Sequence, residues 1–335
     1  MDYYNNRLSV VVPLYNEVDN VEPLIQSIQS ALSDYPAHWE LILVDDGSID
    51  GTLENLEKAR AEYGTHVQIV ALQRNFGQTA AMQAGIDAAN GDIIATLDGD
   101  LQNDPEDIPR LIKKLFDDDL DLLVGWRRDR KDKLLLRKIP SWIANFLIGR
   151  VTGVKLHDYG CSLKIYRSYI IKRVRLYGEM HRFIPAWAAI ATSPSRIKEE
   201  VVSHHPRRSG KTKYGLSRSF RVVIDLLSVY FFMRYRARPG HFFGSIGLIF
   251  GLVGSLILGY LAIVKFGFGE DIGTRPLLLV GVVFIIASIQ FITTGITTEL
   301  MSRTYFESSD VKPYMIRELA DENTDTENSW HTHED

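Results

Sequence analysis

The stretch Leu97-Asp98-Gly99-Asp100-Leu101-Gln102 sets two carboxylates one residue apart, directly after the apolar run Ile93 to Leu97. That run reads as a buried strand. The space just past the carboxyl end of a parallel strand is where open α/β sheets bind ligands. Two carboxylates this close repel each other and lose solvation unless a cation lies between them. Hard oxygen donors suit Mg2+ or Mn2+, and Mg2+ usually shares its shell with substrate phosphates. A second acidic string, Asp45-Asp46-Gly47-Ser48, follows the strand-like Glu40 to Val44. Such residues could hold a metal and a nucleoside diphosphate between them. A solvated Asp-Gly-Asp turn is the competing explanation, and the surroundings decide.

The elements that must carry these loops alternate. Leu8 to Val12 reads as a strand ending at Pro13. A helical pattern from Asn20 to Leu32 follows, with Val21, Leu24, Ile25 and Ile28 on one face. After the second strand, Asp50 is placed to cap a helix carrying Leu53 and Leu56. Val67 to Leu72 is a third strand, and Gln78 to Ala89 an Ala-rich helix behind the loop Arg74 to Gly77. Asp92 to Leu97 is the fourth strand, Pro105 starts a helix to Phe116, and Leu122 to Gly125 is a fifth strand. This alternation predicts βαβ units, a mostly parallel sheet and right-handed crossovers. Both acidic loops then fall on one sheet edge. No G-x-G-x-x-G follows the first strand and no G-x-x-x-x-G-K-[ST] occurs, so neither a dinucleotide fold nor a P-loop is indicated.

Beyond residue 126 the chain changes character. Arg127, Arg128, Arg130, Lys131, Lys133, Arg137 and Lys138 form a basic run, and Lys133 to Arg150 mixes charges with Leu134, Leu135, Trp142, Ile143, Phe146 and Leu147. The pattern suits an amphipathic helix on a membrane surface or one packed on its own domain. Asp158 to Ser162 precedes a strand-like Leu163 to Tyr166, and Glu179 to Trp187 reads as a loop feeding a helix. A second basic cluster, Arg207, Arg208, Lys211, Lys213, Arg218 and Arg221, is interrupted by Gly210 and Gly215. Gly spacing of this kind allows a loop to close over an anion. Phe220 to Phe232, bounded by arginines, fits an interfacial helix.

Two uncharged stretches follow, about Phe242 to Val264 and Pro276 to Thr298, each long enough to span a bilayer. Lys and Arg concentrated before the first put that side, both termini and the catalytic region in the cytoplasm. The tail from Asp321 to Asp335 is polar and acidic. With 335 residues, a net charge of −4 and the single cysteine Cys161, an internal disulfide is excluded and nucleic acid is not the expected partner. The N-terminus lacks a signal-peptide pattern. The expected division is a catalytic domain over 1–215, a juxtamembrane helix over 216–240, a transmembrane hairpin over 241–298 and a cytoplasmic tail over 299–335.

Four motifs occur in order: Val11-Val12-Pro13-Leu14-Tyr15-Asn16-Glu17, Val44 to Thr52, Asp98-Gly99-Asp100-Leu101-Gln102, and Arg207-Arg208-Ser209-Gly210-Lys211-Thr212-Lys213. Over roughly residues 7 to 230 the chain resembles family 2 glycosyltransferases of the GT-A fold, an α/β, Rossmann-like architecture. It is most similar in pattern to the polyprenyl-phosphate glycosyltransferases, which include dolichol-phosphate mannosyltransferases and the GtrB-type bactoprenol glucosyltransferases. The paired spans match the latter.

The resemblance implies inverting, metal-dependent transfer of a hexose from a nucleotide sugar to undecaprenyl or another polyprenyl phosphate at the cytoplasmic face of the plasma membrane. UDP-glucose is the expected donor and GDP-mannose the alternative. Pro13, Tyr15 and Glu17 would line the nucleotide pocket and Asp46 would contact the nucleoside. Asp98 and Asp100, with Gln102, would hold Mg2+ or Mn2+ and the diphosphate. Gly99 stands where many relatives carry Ala, a change expected to be harmless. Arg207 and Lys213 match the basic pair that closes on the diphosphate, and Arg127, Arg137 and Ser141 the positions that hold the acceptor phosphate. Asp158 matches an acidic position proposed as a base. A phosphate oxygen is already anionic at neutral pH, so a positioning role suits Asp158 better. Paired spans and interface helices suggest a homo-oligomer, with a tetramer among the candidate states. A processive polysaccharide synthase would need a Q-x-x-R-W motif and more spans, which this sequence lacks. A scaffold with a dead transferase domain would have lost the acidic pair, and two spans per chain give a flippase no evident pathway.

Overall fold

The computed structural model describes residues 5–128, 148–150, 152–176, 180–206, 231, 235 and 239–308. The chain divides into two compact units, 1–236 and 237–335, each described by itself.

The first unit is built on one seven-stranded sheet of order β3-β2-β1-β4-β6-β5-β7. Its strands are β1 (Leu8–Leu14), β2 (Trp39–Asp45), β3 (Val67–Ala71), β4 (Ile93–Thr96), β5 (Leu122–Trp126), β6 (Lys164–Arg167) and β7 (Ile197–Val201). β1 runs parallel to both β2 and β4, so the order turns back at β1. β6 alone runs antiparallel, against β4 and β5. Val10, Val11, Val12, Leu41, Ile42 and Leu43 are all fully buried. Uninterrupted apolar runs of this kind belong to parallel strands covered on both faces.

The helices are α1 (Val21–Ala31), α2 (Thr52–Tyr63), α3 (Gln78–Ala88), α4 (Asp107–Asp117), α5 (Ser168–Ile171) and α6 (Ile184–Ala191). In α1 the buried positions are Val21, Leu24, Ile25 and Ile28; in α4 they include Ile108, Leu111, Ile112 and Leu115. Both sets follow the one-face helical spacing. α3 lies close against β1 and β2. A Cβ on its Gly85 would stand 2.4 Å from Val11 Cγ1 and 2.9 Å from Val44 Cγ2.

Three boundaries differ from expectation. β1 runs on through Pro13 to Leu14, because a parallel partner needs no N–H from that position. Gly51, not Asp50, caps α2; the Asp50 carboxylate sits one residue earlier and accepts from Thr52 N at 3.0 Å and Thr52 Oγ1 at 2.5 Å. Pro105 lies in the turn before α4, which begins at Asp107. β7 has no counterpart in the expectations, since Ile197-Lys198-Glu199-Glu200-Val201 reads as a charged, polar segment.

The second unit is a helical hairpin of α7 (Pro239–Phe268) and α8 (Pro276–Ser308). Each helix is long and apolar enough to cross a membrane. Leu248, Leu252, Leu256, Ile286 and Ile289 are exposed, a pattern that suits lipid and not the core of a soluble protein. Between the helices, small residues bring the backbones close. A Cβ on Gly247 would stand 3.0 Å from the Ser288 carbonyl, and one on Gly254 3.1 Å from that of Gly281. The expected interfacial segments, Lys133 to Arg150 and Phe220 to Phe232, fall almost wholly outside the described residues, and the tail from Asp321 to Asp335 entirely so.

Gly85→Ala tests the packing of α3. Better helix propensity would favour Ala by about 1 kcal/mol. Overpacking against two fully buried valines costs about 1–3 kcal/mol. The expected outcome is net destabilisation, read as a lower thermal midpoint of the purified protein.

Candidate active site

Parallel register carries both acidic loops to one edge. Leu14 pairs with Asp45 at the end of β2, and Val11 with Thr96 at the end of β4. This is the edge at which the strand order reverses at β1, the ligand-binding position of open α/β sheets.

The loop after β2 is built by its own carboxylates. Asp45 accepts from Ser48 N at 3.1 Å. Asp46, 3% exposed, accepts from Phe76 N at 2.7 Å, Gly77 N at 2.9 Å and Asn75 Nδ2 at 3.1 Å. Expected as a nucleoside contact, it thus spends most of its acceptor capacity on the 75–77 loop. Gly47 makes this possible. Its φ is +68°, and a Cβ there would lie 2.3 Å from the Arg74 carbonyl carbon. The loop after β1 is stitched to the same wall: Asn16 N donates to Ser48 Oγ at 2.9 Å, Asn16 Oδ1 accepts from Ile49 N at 2.9 Å, and Glu17 N donates to Thr52 Oγ1 at 3.0 Å. Asn16 has φ +53°, a conformation Asn tolerates better than most residues. Pro13, Tyr15 and Glu17 are half-buried beside it.

Asp98 and Asp100 are half-buried at the end of β4. Gln78 Nε2 donates to Asp98 Oδ1 at 2.7 Å, and Asp100 Oδ1 accepts from Gln102 N at 3.2 Å. Leu101 takes φ +58°, uncommon for a residue with a Cβ and often found where a loop serves a ligand. A Cβ on Gly99 would stand 2.4 Å from Leu14 Cδ2, so this position is closely packed and an Ala there requires Leu14 to shift. The Gln102 carbonyl accepts from His205 N at 2.8 Å. Among the described residues no cluster of three or more His, Cys, Asp or Glu surrounds a metal position. Two carboxylates and no third protein anion suit Mg2+ or Mn2+ that completes its shell with substrate oxygens and water.

Across β6, Arg127 and Asp158 form a two-point pair. Arg127 Nε lies 2.7 Å from Asp158 Oδ2 and Nη2 lies 3.0 Å from Oδ1. The two side chains are 11% and 18% exposed. Burial would raise the Asp158 carboxyl, and the Arg127 hydrogen bonds and charge overcome it, holding the group below its ordinary value. A carboxylate so held is a poor proton acceptor and a good orienter of a guanidinium. Glu199 of β7 braces this loop, accepting from His157 N at 2.7 Å and Asp158 N at 3.3 Å, while His157 stacks on Trp126 with centroids 4.3 Å apart. Lys164, 2% exposed, donates to the Cys161 carbonyl from beneath. Its burial pulls the ammonium below its ordinary value, and burial pushes the Cys161 thiol up to about 11.

The structure thus gathers Pro13, Tyr15, Glu17, Asp46, Asp98, Gly99, Asp100, Gln102, Arg127 and Asp158 along one edge. Arg137, Ser141, Arg207 and Lys213 lie outside the described residues. Gln78, Trp126 and Glu199 escaped the sequence reading. Gln78 opens a helix directly after the 74–77 loop, and that position was the available signal.

Residues 9–175 match glycosyl transferase family 2. The chain is 61% identical over 315 residues to the dodecaprenyl-phosphate galacturonate synthase of Rhizobium johnstonii, covering 94% of this chain and 93% of that protein. It is 34% identical over 316 residues to the undecaprenyl-phosphate 4-deoxy-4-formamido-L-arabinose transferase of Shewanella sediminis, covering 93% and 92%. Among solved structures, glucosyl-3-phosphoglycerate synthase from Mycobacterium tuberculosis, in complex with Mn2+, UDP-glucose and phosphoglyceric acid, aligns with a TM-score of 0.52 at 21% identity. That match covers 67% of this chain and 80% of the other, and the shared feature is the fold.

Asp158→Asn leaves a largely buried guanidinium without its counter-charge and is expected to destabilise by about 3 kcal/mol. The native carboxyl titrates below the unfolded value of 3.8. Its contribution is therefore full above that pH and lost as pH falls through the depressed native value. Thermal midpoints of wild type and Asp158→Asn should differ by a constant amount above pH 5 and converge at lower pH.

Proposed function

The chain belongs to glycosyl transferase family 2 and, within it, to the polyprenyl-phosphate glycosyltransferases; from that premise we propose that it transfers a galacturonyl group from a nucleotide sugar to a polyprenyl phosphate, with inversion. One observation carries the choice of sugar: 61% identity to a dodecaprenyl-phosphate galacturonate synthase, over nearly the whole of both chains. The relatives do not support the glucose expected from the bactoprenol glucosyltransferases, nor mannose. UDP is retained as the donor nucleotide.

The chemistry follows from charge. The bond that breaks joins the anomeric carbon to the donor diphosphate, which gains charge as it leaves. Asp98 and Asp100, with Gln102, would hold Mg2+ or Mn2+, and the ion would neutralise that developing charge. Arg207 and Lys213 would act on the same diphosphate; earlier in the chain, His205 N donates to the Gln102 carbonyl. Pro13, Tyr15 and Glu17 line the nucleotide pocket. Asp46 acts on the nucleoside through the 75–77 loop that it holds.

The nucleophile is an acceptor phosphate oxygen, anionic without help. Arg127, Arg137 and Ser141 would hold that phosphate, and attack from the face opposite the leaving group inverts the anomeric carbon. Asp158 fixes the Arg127 fork and takes no proton. α7 and α8 keep the enzyme in the membrane that carries the lipid. The positive-inside pattern puts the catalytic region, residues 1–215, and both termini in the cytoplasm, with 216–240 at the interface and 241–298 spanning.

The deciding assay presents purified protein with decaprenyl to dodecaprenyl phosphates, Mg2+ or Mn2+, and a panel of UDP-galacturonate, UDP-galactose, UDP-glucose and GDP-mannose. A galacturonyl lipid is the expected product, identified by mass; a glucosyl or mannosyl product alone overturns the choice of sugar. Asp100→Ala is expected to lower transfer at least about 1000-fold while the protein inserts and folds. Wild-type turnover in that variant without added metal overturns the metal assignment. Arg137→Ala is expected to impair transfer to lipid phosphate more than donor hydrolysis; equal losses would make Arg137 structural.

A further inference from the structure

Asp98 is held from outside its own loop. Gln78 Nε2 donates to Asp98 Oδ1 at 2.7 Å, and among the described residues Oδ2 has no hydrogen-bond partner. The two oxygens of this carboxylate are thereby made unequal. Gln78 is exposed, and a long exposed side chain ordinarily keeps its rotamer freedom. Here the backbone on either side of it is fixed.

Residues 75–79 form a strap. At one end Asn75 Nδ2, Phe76 N and Gly77 N all donate to the buried Asp46 carboxylate. At the other, Thr79 Oγ1 lies 2.6 Å from His181 Nδ1, and both residues are buried. Between the anchors Gly77 turns the chain at φ +96° and ψ 155°, a region open almost to glycine alone. A Cβ there would meet nothing within 4 Å, so the glycine answers to conformation and not to space. The turn starts α3 at Gln78 and brings its amide to Asp98. A glycine-only conformation one residue before the contact, set between two anchors, marks the contact as a built feature of the edge.

Which oxygens a carboxylate offers matters to a cation. Ca2+ accepts about 6–8 oxygens and takes carboxylates through one oxygen or both, whereas Mg2+ demands a near-octahedral shell. Mn2+ shares the octahedral oxygen preference. Hydrogen-bond partners of a metal ligand fix its orientation and so tune the ion it holds.

We propose that Gln78 is a positioning residue for Asp98: by engaging Oδ1 it leaves Oδ2 as the coordinating atom and so favours Mg2+ or Mn2+ over Ca2+. The inference rests on the assignment of Asp98 to the metal made above. One oxygen from Asp98 leaves positions in an octahedral shell for diphosphate oxygens and water. Without the Gln78 amide, both oxygens of Asp98 can turn to the ion, an arrangement that suits the larger and more adaptable Ca2+.

The test titrates Mn2+ into purified protein saturated with UDP, reading the free ion by electron paramagnetic resonance against a protein-free UDP blank. Ca2+ then displaces the bound Mn2+. Wild type is compared with Gln78→Ala and with Gln78→Met, which keeps the length of the side chain and removes the donor. Thermal midpoints in EDTA check the fold, and Gln78→Met carries the comparison if Gln78→Ala unfolds. In both variants Mn2+ affinity is expected to fall about 10- to 100-fold, the range for loss of a ligand's outer partner. Ca2+ affinity should hold or rise, so that the preference for Mn2+ shrinks. Equal weakening of both ions overturns the proposal, since Gln78 then only steadies the loop. Unchanged affinity for both ions overturns it as well. A wild type that binds neither ion with UDP present overturns the metal assignment of Asp98 itself, a result distinct from failure of Gln78.

Discussion

Negative charge concentrated on one edge of a sheet is the constraint to which the catalytic unit answers. Asp45, Asp46, Asp98, Asp100 and Asp158 all stand at or near the carboxyl ends of β2, β4 and β5, next to a core from which water is excluded. Each needs a distinct compensation. Asp45 and Asp46 receive backbone and side-chain N–H groups, and in doing so shape the loops around them. Asp158 receives a guanidinium. Asp98 accepts from the Gln78 amide and Asp100 from the Gln102 N–H. Neutral donors offset repulsion between carboxylates less well than a cation does. That pair stands where the strand order reverses, the position at which open α/β sheets bind ligands.

The close contacts of the edge follow from the same economy of space. Gly47 lets the backbone of Arg74 and Asn75 approach the loop after β2, and Gly99 lets the Asp98 loop rest on Leu14 of β1. Gly99, expected to be interchangeable with Ala, is packed against a fully enclosed leucine, so the exchange would call for a matching change at position 14. Hydrogen bonds from Asn16 and Glu17 to the 48–52 segment join the first two loops into one wall. This edge is in this sense a set of loops that hold each other, and only its base belongs to the sheet.

Much of this was readable in advance, for identifiable reasons. β1, β2 and β4 are continuous apolar runs ended by chemistry-bearing loops, and α1 and α4 keep strict one-face spacing. Hydrophobic pattern carries that information directly. The spans are legible because lipid demands long uncharged helices. β7 was not, because Lys198, Glu199 and Glu200 suit a sheet margin where Glu199 serves the neighbouring loop and not the core. Arg127 and Asp158 both stand out in the sequence, but 31 residues separate them and only tertiary structure joins them. Asp46 stands out too, whereas its partners in the 75–77 loop, 29 to 31 residues on, carry no pattern that links them to it.

The reversal of β6 has a consequence for how such an enzyme can change. In a purely parallel sheet only the segments leaving strands reach the ligand edge. Because β6 runs the other way, the segment entering it, which holds Asp158, arrives at that edge together with the segment leaving β5, which holds Arg127. The excursion from residue 127 to 163 therefore starts and ends at that edge while the strands on either side of it, β5 and β6, pair with each other in the sheet. Its last turn is tied to the neighbouring strand as well: Thr96 Oγ1 donates to the Ser162 carbonyl at 2.9 Å and Asn103 Nδ2 to Ser162 Oγ at 2.6 Å, so a change in the excursion is felt at the loop after β4.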